Sequence, residues 1–168
     1  MPKNTSEGKN KILVLGLGHE ALGDESLGLI MVTAIAEKKL FPEVDFACAY
    51  TGGLKLLDYI TGYDSLLIID TACGKGYPTG TVNFHSRENF RETLHMSSEH
   101  DASFLLTLET GERLGLKIPK QIHIIAIEIT CDLYFTENLS DNISAQFDKM
   151  QSEIIKFIKK CAVADTVN

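Results

Sequence analysis

Glu25, Asp70 and His100 are the polar residues whose types and positions are best suited to chemistry. Glu25 follows a glycine-containing loop after the first apolar run, Asp70 directly follows the most apolar run, and His100 precedes a predicted helix. Carboxylate oxygens and imidazole nitrogens bind divalent transition metals, and histidine suits nickel, zinc, iron and copper alike. The residue types therefore predict a metal site without identifying the ion.

Each of these three residues also has a purely structural interpretation. Asp70 could cap the turn after its strand, because aspartate side chains bond nearby backbone N–H groups. Glu25 could complement a helix dipole, and His100 could be a solvated loop histidine. Both interpretations stay open at this point, and a shared position at one edge of a sheet would favour the metal site.

The elements that must position these residues alternate between strands and helices. Apolar runs predict strands at 11–17, 44–50, 65–69, 80–85 and 121–127, with 80–85 at an edge. Apolar residues at helical spacing predict helices at 24–39, 54–60, 101–111 and from 139 or 140 to about 160. This order predicts an α/β three-layer sandwich, in which a mostly parallel twisted sheet of about five strands has helices on both faces. Ligands bind such sheets at the carboxyl ends of the strands.

The glycine turn after the first strand matches a loose dinucleotide-binding pattern. Gly16, Gly18 and Ala21 have the G-x-G-x-x-G/A spacing. A true site would place an acid at the end of the second strand for the ribose, and that end reads Ala-Tyr-Thr at 49–51. The acids at 24 and 25 also indicate a later helix start than that motif requires. We therefore expect no dinucleotide here.

Length and composition indicate one globular domain. The chain has 168 residues, 44% of them hydrophobic, which predicts a single domain at 11–160 between a disordered tail at 1–10 and a C-terminal tail at 161–168. A net charge of −7 argues against a nucleic-acid partner. The first ten residues contain no hydrophobic signal core, and the longest apolar run, 27–36, is too short to span a bilayer. We expect a cytoplasmic protein without a membrane partner.

The cysteines lie far apart in the sequence. Cys48, Cys73, Cys131 and Cys161 form no CxxC pair or zinc spacing, which is typical of a reducing compartment. Cys73 follows Asp70 in a glycine-rich loop and could be a nucleophile. No histidine base is evident for it, however, and the sequence favours a packed thiol. Ser98 is the predicted N-cap of the helix at 101–111.

Several segments in order resemble the hydrogenase maturation endopeptidases. The stretch LGLGHEALGDESLGL at 15–29 is similar to their opening signature, a strand followed by G-x-G-N-x-x-x-x-D-[DE]-x-x-G. The resemblance continues with Thr-Gly-Gly at 51–53, LLIIDTACGKGYPTGTV at 66–82, Ser-Glu-His at 98–100 and Leu-Ser at 139–140. It covers about 11–155, nearly all of the predicted domain.

The resemblance implies an aspartic-type endopeptidase that removes a C-terminal extension from the large-subunit precursor of a nickel–iron hydrogenase. Such enzymes act after nickel insertion and recognise the nickel in the precursor, so the substrate supplies the metal and no permanent cofactor is expected. The metal-binding residues of the family correspond to Glu25, Asp70 and His100. The resemblance thus assigns metal binding and catalysis to the residues already selected from the fold argument.

Two departures from the family pattern leave alternatives open. His19 replaces the usual asparagine, and Cys48 replaces an aspartate that many members carry. One alternative is a non-catalytic protein that binds the large subunit and checks its metal. Another is a hydrolase with its own bound metal, in which His19 is an extra ligand. The sequence leaves the oligomeric state, the hydrogenase and the cleavage site undetermined.

Overall fold

The computed structural model describes residues 10–89, 93, 103–132 and 135–165. The ligand candidate His100, the predicted cap Ser98 and residues 1–9 of the predicted N-terminal tail lie outside these ranges. The strands are β1 (Ile12–Leu17), β2 (Val44–Ala49), β3 (Ser65–Ala72), β4 (Val82–Ser86) and β5 (Gln121–Glu128). The helices are α1 (Leu27–Glu37), α2 (Leu57–Ile60), α3 (Phe104–Arg113) and α4 (Asp141–Asp165), with 3₁₀ turns Gly23–Ser26 and Gly53–Leu56 before α1 and α2.

The strands form one five-stranded sheet in the order β2-β1-β3-β5-β4. All neighbouring strands are parallel except β4, which is antiparallel to β5 at the edge. In this register Asp70 pairs with Ala126, and Ala72 pairs with Glu128. The predicted α/β class, the mostly parallel sheet and the edge position of the strand at 80–85 are confirmed.

Helices cover both faces of the sheet because alternate residues of β1 and β3 point to opposite sides. Val14 and Leu67 pack with apolar residues of α1 and α4 in one buried cluster. Leu15 and Ile68 pack with apolar residues of α2 and α3 in another. Every residue of β1 and β3 is buried, which explains their nearly continuous apolar sequence.

Glycines let α1 lie directly on the ends of two strands. A Cβ atom on Gly28 would overlap the carbonyl of Leu17 and lie 2.6 Å from the carbonyl oxygen of Ile69. A Cβ atom on Gly16 would overlap the carbonyl of Gly28 and lie 2.8 Å from a methyl of Val32. The glycine spacing of this segment therefore permits close backbone packing of α1 against β1 and β3.

Several predicted boundaries were wrong. β3 continues to Ala72, so Asp70 lies inside the strand rather than after it. The acids at 24 and 25 lie in a 3₁₀ turn, and α1 begins only at Leu27. α3 begins at Phe104, where Ser103 Oγ accepts the Leu106 N–H (3.3 Å) as its cap. α4 runs to 165, so the first residues of the predicted C-terminal tail belong to the helix.

Two of the cysteines are joined. Cys73 and Cys131 form a disulfide between the segments that follow β3 and β5. The prediction that Cys73 is a packed thiol is therefore wrong. β3 and β5 are neighbours in the sheet but far apart in the sequence, so no local pattern indicated the pairing. Cys48 and Cys161 form no disulfide. In the described part of the chain, no helix combines the length and apolar character needed to cross a bilayer.

Candidate functional site

Asp24 ties the loop that carries Glu25 to the start of α4. Its carboxylate accepts hydrogen bonds from the Ser140 backbone N–H and the Ser140 hydroxyl, both at 2.7 Å. The Ser140 hydroxyl oxygen in turn accepts the Ile143 N–H at 3.4 Å and so caps α4. Charge-assisted hydrogen bonds of this kind are stronger than neutral ones. Asp24 therefore has a positioning role. This contact explains why the acid pair at 24 and 25 occurs together with the distant Leu-Ser at 139–140.

Backbone hydrogen bonds also fix the loop that carries Glu25. Gly23 N–H donates to Thr136 O (2.7 Å), and Thr136 N–H donates to Ala21 O (3.1 Å). Glu25 itself donates its N–H to Leu22 O at 3.0 Å, and its carbonyl accepts the His19 N–H at 3.3 Å. The backbone of Glu25 is thus fixed at the carboxyl edge of the sheet, with its side chain partly buried.

Asp70 is completely buried within β3. Its exposed fraction is 0%. One carboxylate oxygen accepts the Thr71 N–H at 2.7 Å, and the other accepts the Thr93 hydroxyl at 2.5 Å. By strand alternation Asp70 lies on the same face as Ile68, toward α2 and α3. Contact between Asp70 and a metal ion therefore requires the groups that cover the carboxylate to move.

Glu128, at the end of β5, is a second buried acid that the sequence analysis missed. It is 3% exposed, and one carboxylate oxygen accepts the Lys75 N–H at 2.9 Å. Its other oxygen has no hydrogen-bond partner among the described residues. Because Asp70 pairs with Ala126, Glu128 follows on the same face of the neighbouring strand. An acid after a long apolar run was the available signal, but the strand was predicted to end at 127.

A cavity of about 10 Å³ adjoins Glu128, and its lining includes His85, Asn83 and Thr93. That volume is close to the minimum for one water molecule. A water there could satisfy the free carboxylate oxygen of Glu128. The carboxyl edge thus contains a small buried polar cluster as well as Glu25 and Asp70.

The structure describes only two of the three predicted ligands. Glu25 and Asp70 lie at the carboxyl edge of the sheet, and His100 lies outside the described residues. The described residues include no group of three histidine, cysteine or acidic side chains arranged for a metal ion. A ligand shared by Glu25, Asp70 and His100 therefore stays a prediction.

The comparisons with known proteins agree with the predicted family and fold. A family model described as hydrogenase maturation protease matches residues 30–157. The chain belongs to this family. The predicted family membership is thus confirmed. The hydrogenase 2 maturation protease of Escherichia coli (strain K12) is 34% identical over 73 residues, which are 43% of this chain. That match spans only 44% of the relative's own length.

Solved structures of hydrogenase maturation proteases share the fold. The hydrogenase maturating endopeptidase HybD from E. coli has a TM-score of 0.71 and 22% identity, covering 90% of this chain and 93% of that one. The NiFe hydrogenase maturation protease HybD from Thermococcus kodakarensis has a TM-score of 0.60 and 23% identity, covering 88% and 98% respectively. At these identities the similarity concerns the architecture.

The two departures from the family pattern have different surroundings. His19 is exposed, and its Nδ1 atom accepts the Ala21 N–H at 3.3 Å. Because Nδ1 accepts this hydrogen bond, the imidazole proton lies on Nε2, and His19 can bind a metal only after its bond to Ala21 breaks. Cys48 is half-buried, with its sulfur 3.7 Å from both the Thr33 hydroxyl and the Leu29 carbonyl oxygen. Cys48 therefore lies against α1 as a small side chain at the position where the family pattern often has an aspartate.

An open groove of about 600 Å³ runs from the Glu25 loop along α1. Cys48 and Tyr50 contribute one wall, and Tyr50 is 58% exposed. A hydrogen bond from the Tyr50 phenol to the Glu20 carboxylate raises the pKa of Tyr50 above its usual value, because it stabilises the protonated phenol. The remaining lining residues are Glu20, Ala21, Ser26, Leu29, Ile30, Thr33, Ala34, Glu37 and Glu137.

Proposed function

We propose that this chain is an endopeptidase that removes the C-terminal extension of a nickel–iron hydrogenase large-subunit precursor after nickel insertion. The family match over 30–157 is the observation that carries the proposal. The fixed presentation of Glu25 by the Asp24–Ser140 hydrogen bonds supports it, because a ligand for an incoming metal has to be held in place.

In this mechanism Glu25, Asp70 and His100 bind the nickel carried by the precursor. Binding the nickel places the peptide bond to be cut beside these residues. A water molecule then attacks the carbonyl carbon, a basic group takes its proton, and the C–N bond breaks as the amine leaves with a proton. Accurate positioning alone can lower such a barrier by roughly 7–11 kcal/mol. Nickel is part of the substrate here.

The decisive experiment compares cleavage of nickel-loaded precursor by Glu25→Gln, Asp70→Asn and His100→Ala with cleavage by wild type. We expect each variant to lose activity by about 100-fold or more, since each removes a ligand of the metal that positions the substrate. Asp64→Asn is the matched control, because Asp64 flanks the same strand at the opposite edge and should leave the rate unchanged. Wild-type rates in all three site variants would refute the proposal, as would equal cleavage of nickel-free precursor.

Cys48 favours one competing function, a metal-checking protein that binds the large subunit without cutting it. In that case, the replacement of the aspartate by Cys48 would mean that the protein has lost its catalytic activity. Mass spectrometry of the precursor after incubation separates the two functions, because a shortened C-terminus excludes a pure binding protein. The third possibility, a hydrolase with its own metal, predicts a stoichiometric ion in the purified protein without substrate.

A cytoplasmic location belongs to the same proposal. The cysteine argument for a reducing compartment now applies only to Cys48 and Cys161, since the other two are joined. Fractionation of cells that express the native chain would test the location.

A further inference from the structure

The groove along α1 begins beside the loop that holds Glu25. Glu20, Ala21 and Ser26 of that loop line its near end, and Glu37 in the last turn of α1 lines its far end. The helix rises about 12 Å between Leu29 and Glu37. An extended peptide advances about 3.3 Å per residue, so the groove has room for roughly four residues.

The charged residues that line this groove are all acidic. Glu20, Glu37 and Glu137 contribute carboxylates, and none of the described lining residues is basic. The floor between them is apolar, formed by side chains such as Leu29, Ile30 and Ala34. A matching occupant therefore carries positive side chains beside small or apolar ones, because opposite charges across an interface favour binding and like charges oppose it.

The backbone next to the groove suits an extended occupant. β2, which carries Cys48 into the groove, is an edge strand paired on one side with β1. An edge strand offers backbone N–H and C=O groups to an added extended segment. Tyr50, exposed just beyond β2, gives such a segment an aromatic contact surface.

From these observations we infer that the groove binds the part of the C-terminal extension adjacent to the cut, as an extended segment with basic side chains. The inference rests on the proposed function, because the occupant is the precursor. Glu25 would then hold the metal side of the substrate, while Glu20, Glu37 and Glu137 select the charge of the extension. The groove is thus a specificity site and the acids on its lining are binding residues.

The test measures binding rather than cleavage. Short fluorescent peptides of alternating alanine and valine, with either lysine or glutamate at the same positions, are titrated with the full chain by fluorescence anisotropy. We expect wild type to bind the lysine peptide about fivefold more tightly than the glutamate peptide, since one exposed ion pair contributes up to about this factor and the groove offers three carboxylates. The preference should decrease with added salt.

Charge-reversal variants locate the effect. Glu37→Lys with Glu137→Lys should reverse or abolish the preference, because both substitutions change the sign of the groove lining. Glu109→Lys is the control, an equally exposed acid on α3 at the other face of the sheet. Glu109→Lys should keep the wild-type preference. Circular dichroism melts verify that all variants fold.

The outcomes separate this inference from the proposed function. Equal affinity of wild type for both peptides, or equal effects of Glu109→Lys and the groove variants, would overturn the inference. Cleavage of the precursor with no charge preference would leave the protease proposal intact and contradict only the proposed role of the groove. A charge preference without any cleavage would support the groove and contradict the protease.

Discussion

Asp64 precedes β3 and Asp70 lies within it, and the surroundings of these two aspartates differ. Asp64, just before the strand, pairs with Lys117 (2.7 Å), accepts the Lys11 N–H (2.9 Å), and keeps 32% of its side chain exposed. Asp70, near the other end, is fully buried, and the hydrogen bonds described for it come from an N–H and a hydroxyl. Water screens the charge of Asp64, whereas Asp70 depends on its buried donors.

The acidic side chains at the two edges of the sheet therefore lie in different environments. At the amino edge, an acid forms an ordinary surface ion pair with a lysine. At the carboxyl edge, Asp70 and Glu128 are buried at 0% and 3% exposure, which is costly for ionisable groups. Natural proteins tend to keep such costly arrangements at functional sites.

The largest expected effect comes from the Cys73–Cys131 disulfide at the carboxyl edge. It closes a loop with a sequence separation of 58. Chain-entropy arguments give about 4 kcal/mol of stabilisation for a loop of that length. We expect Cys131→Ser to lower the free energy of unfolding in urea by up to that amount. Dithiothreitol should destabilise wild type equally and the variant little.

Cys161→Ser is the matched control, because Cys161 is a half-buried cysteine of α4 that forms no disulfide. It should change the free energy of unfolding by less than about 1 kcal/mol. If Cys131→Ser is no more destabilising than Cys161→Ser, the disulfide does not stabilise the loops after β3 and β5.

The next effect concerns the hydroxyl that reaches Asp70. Thr93→Val keeps the side-chain shape and removes the donor to a buried carboxylate. We expect a loss of about 1–3 kcal/mol in the free energy of unfolding, since an unsatisfied buried acceptor carries its full desolvation cost. Urea denaturation at neutral pH measures it.

Thr110→Val is the matched control, because the Thr110 hydroxyl donates to the Leu106 carbonyl oxygen on an exposed part of α3. It should cost less than about 0.5 kcal/mol. A double-mutant cycle with Asp70→Asn sharpens the result. If the Thr93→Val effect is the same in both backgrounds, the hydroxyl does not act through Asp70.

Much of this fold could be predicted from local sequence. The apolar runs of β1 and β3 and the apolar spacing of α1 and α4 fix the elements, since burial on both faces leaves few alternatives. The Cys73–Cys131 pairing and the role of Glu128 could not be predicted. Both depend on β3 and β5 being neighbours, although more than 40 residues separate these strands in the chain. The order of strands in a sheet is long-range information that no local pattern contains.

The site shows the same division. Glu25 was predicted from its place before an apolar helix. The structure shows why Glu25 is fixed in position: Asp24, the residue before it, contacts Ser140 across 116 positions of the chain. Asp70 was selected because it follows an apolar run. Its burial could not be predicted, because the Thr93 hydroxyl that covers it comes from a polar segment without helical or strand periodicity.

The smallest expected effect belongs to Asp64, and it depends on pH. The Lys11 N–H and the Lys117 ammonium hold the pKa of Asp64 below its usual value. Because the folded pKa is lower than the unfolded pKa of about 3.9, the ionised form favours the folded state. The contribution of Asp64 is therefore present above the unfolded pKa and is lost as pH falls through the folded pKa. Partial exposure limits it to less than about 1 kcal/mol.

Unfolding of Asp64→Asn and wild type in urea, at neutral pH and at a pH below the folded pKa, measures this contribution. Wild type should be slightly the more stable at neutral pH, and the difference should disappear in acid, where the Asp64 carboxyl is protonated in both states. A difference that persists in acid would mean that Asp64 acts through packing or neutral hydrogen bonds. In that case the contrast between a solvent-screened acid at the amino edge and a buried one at the carboxyl edge would no longer hold, because both would depend on uncharged contacts.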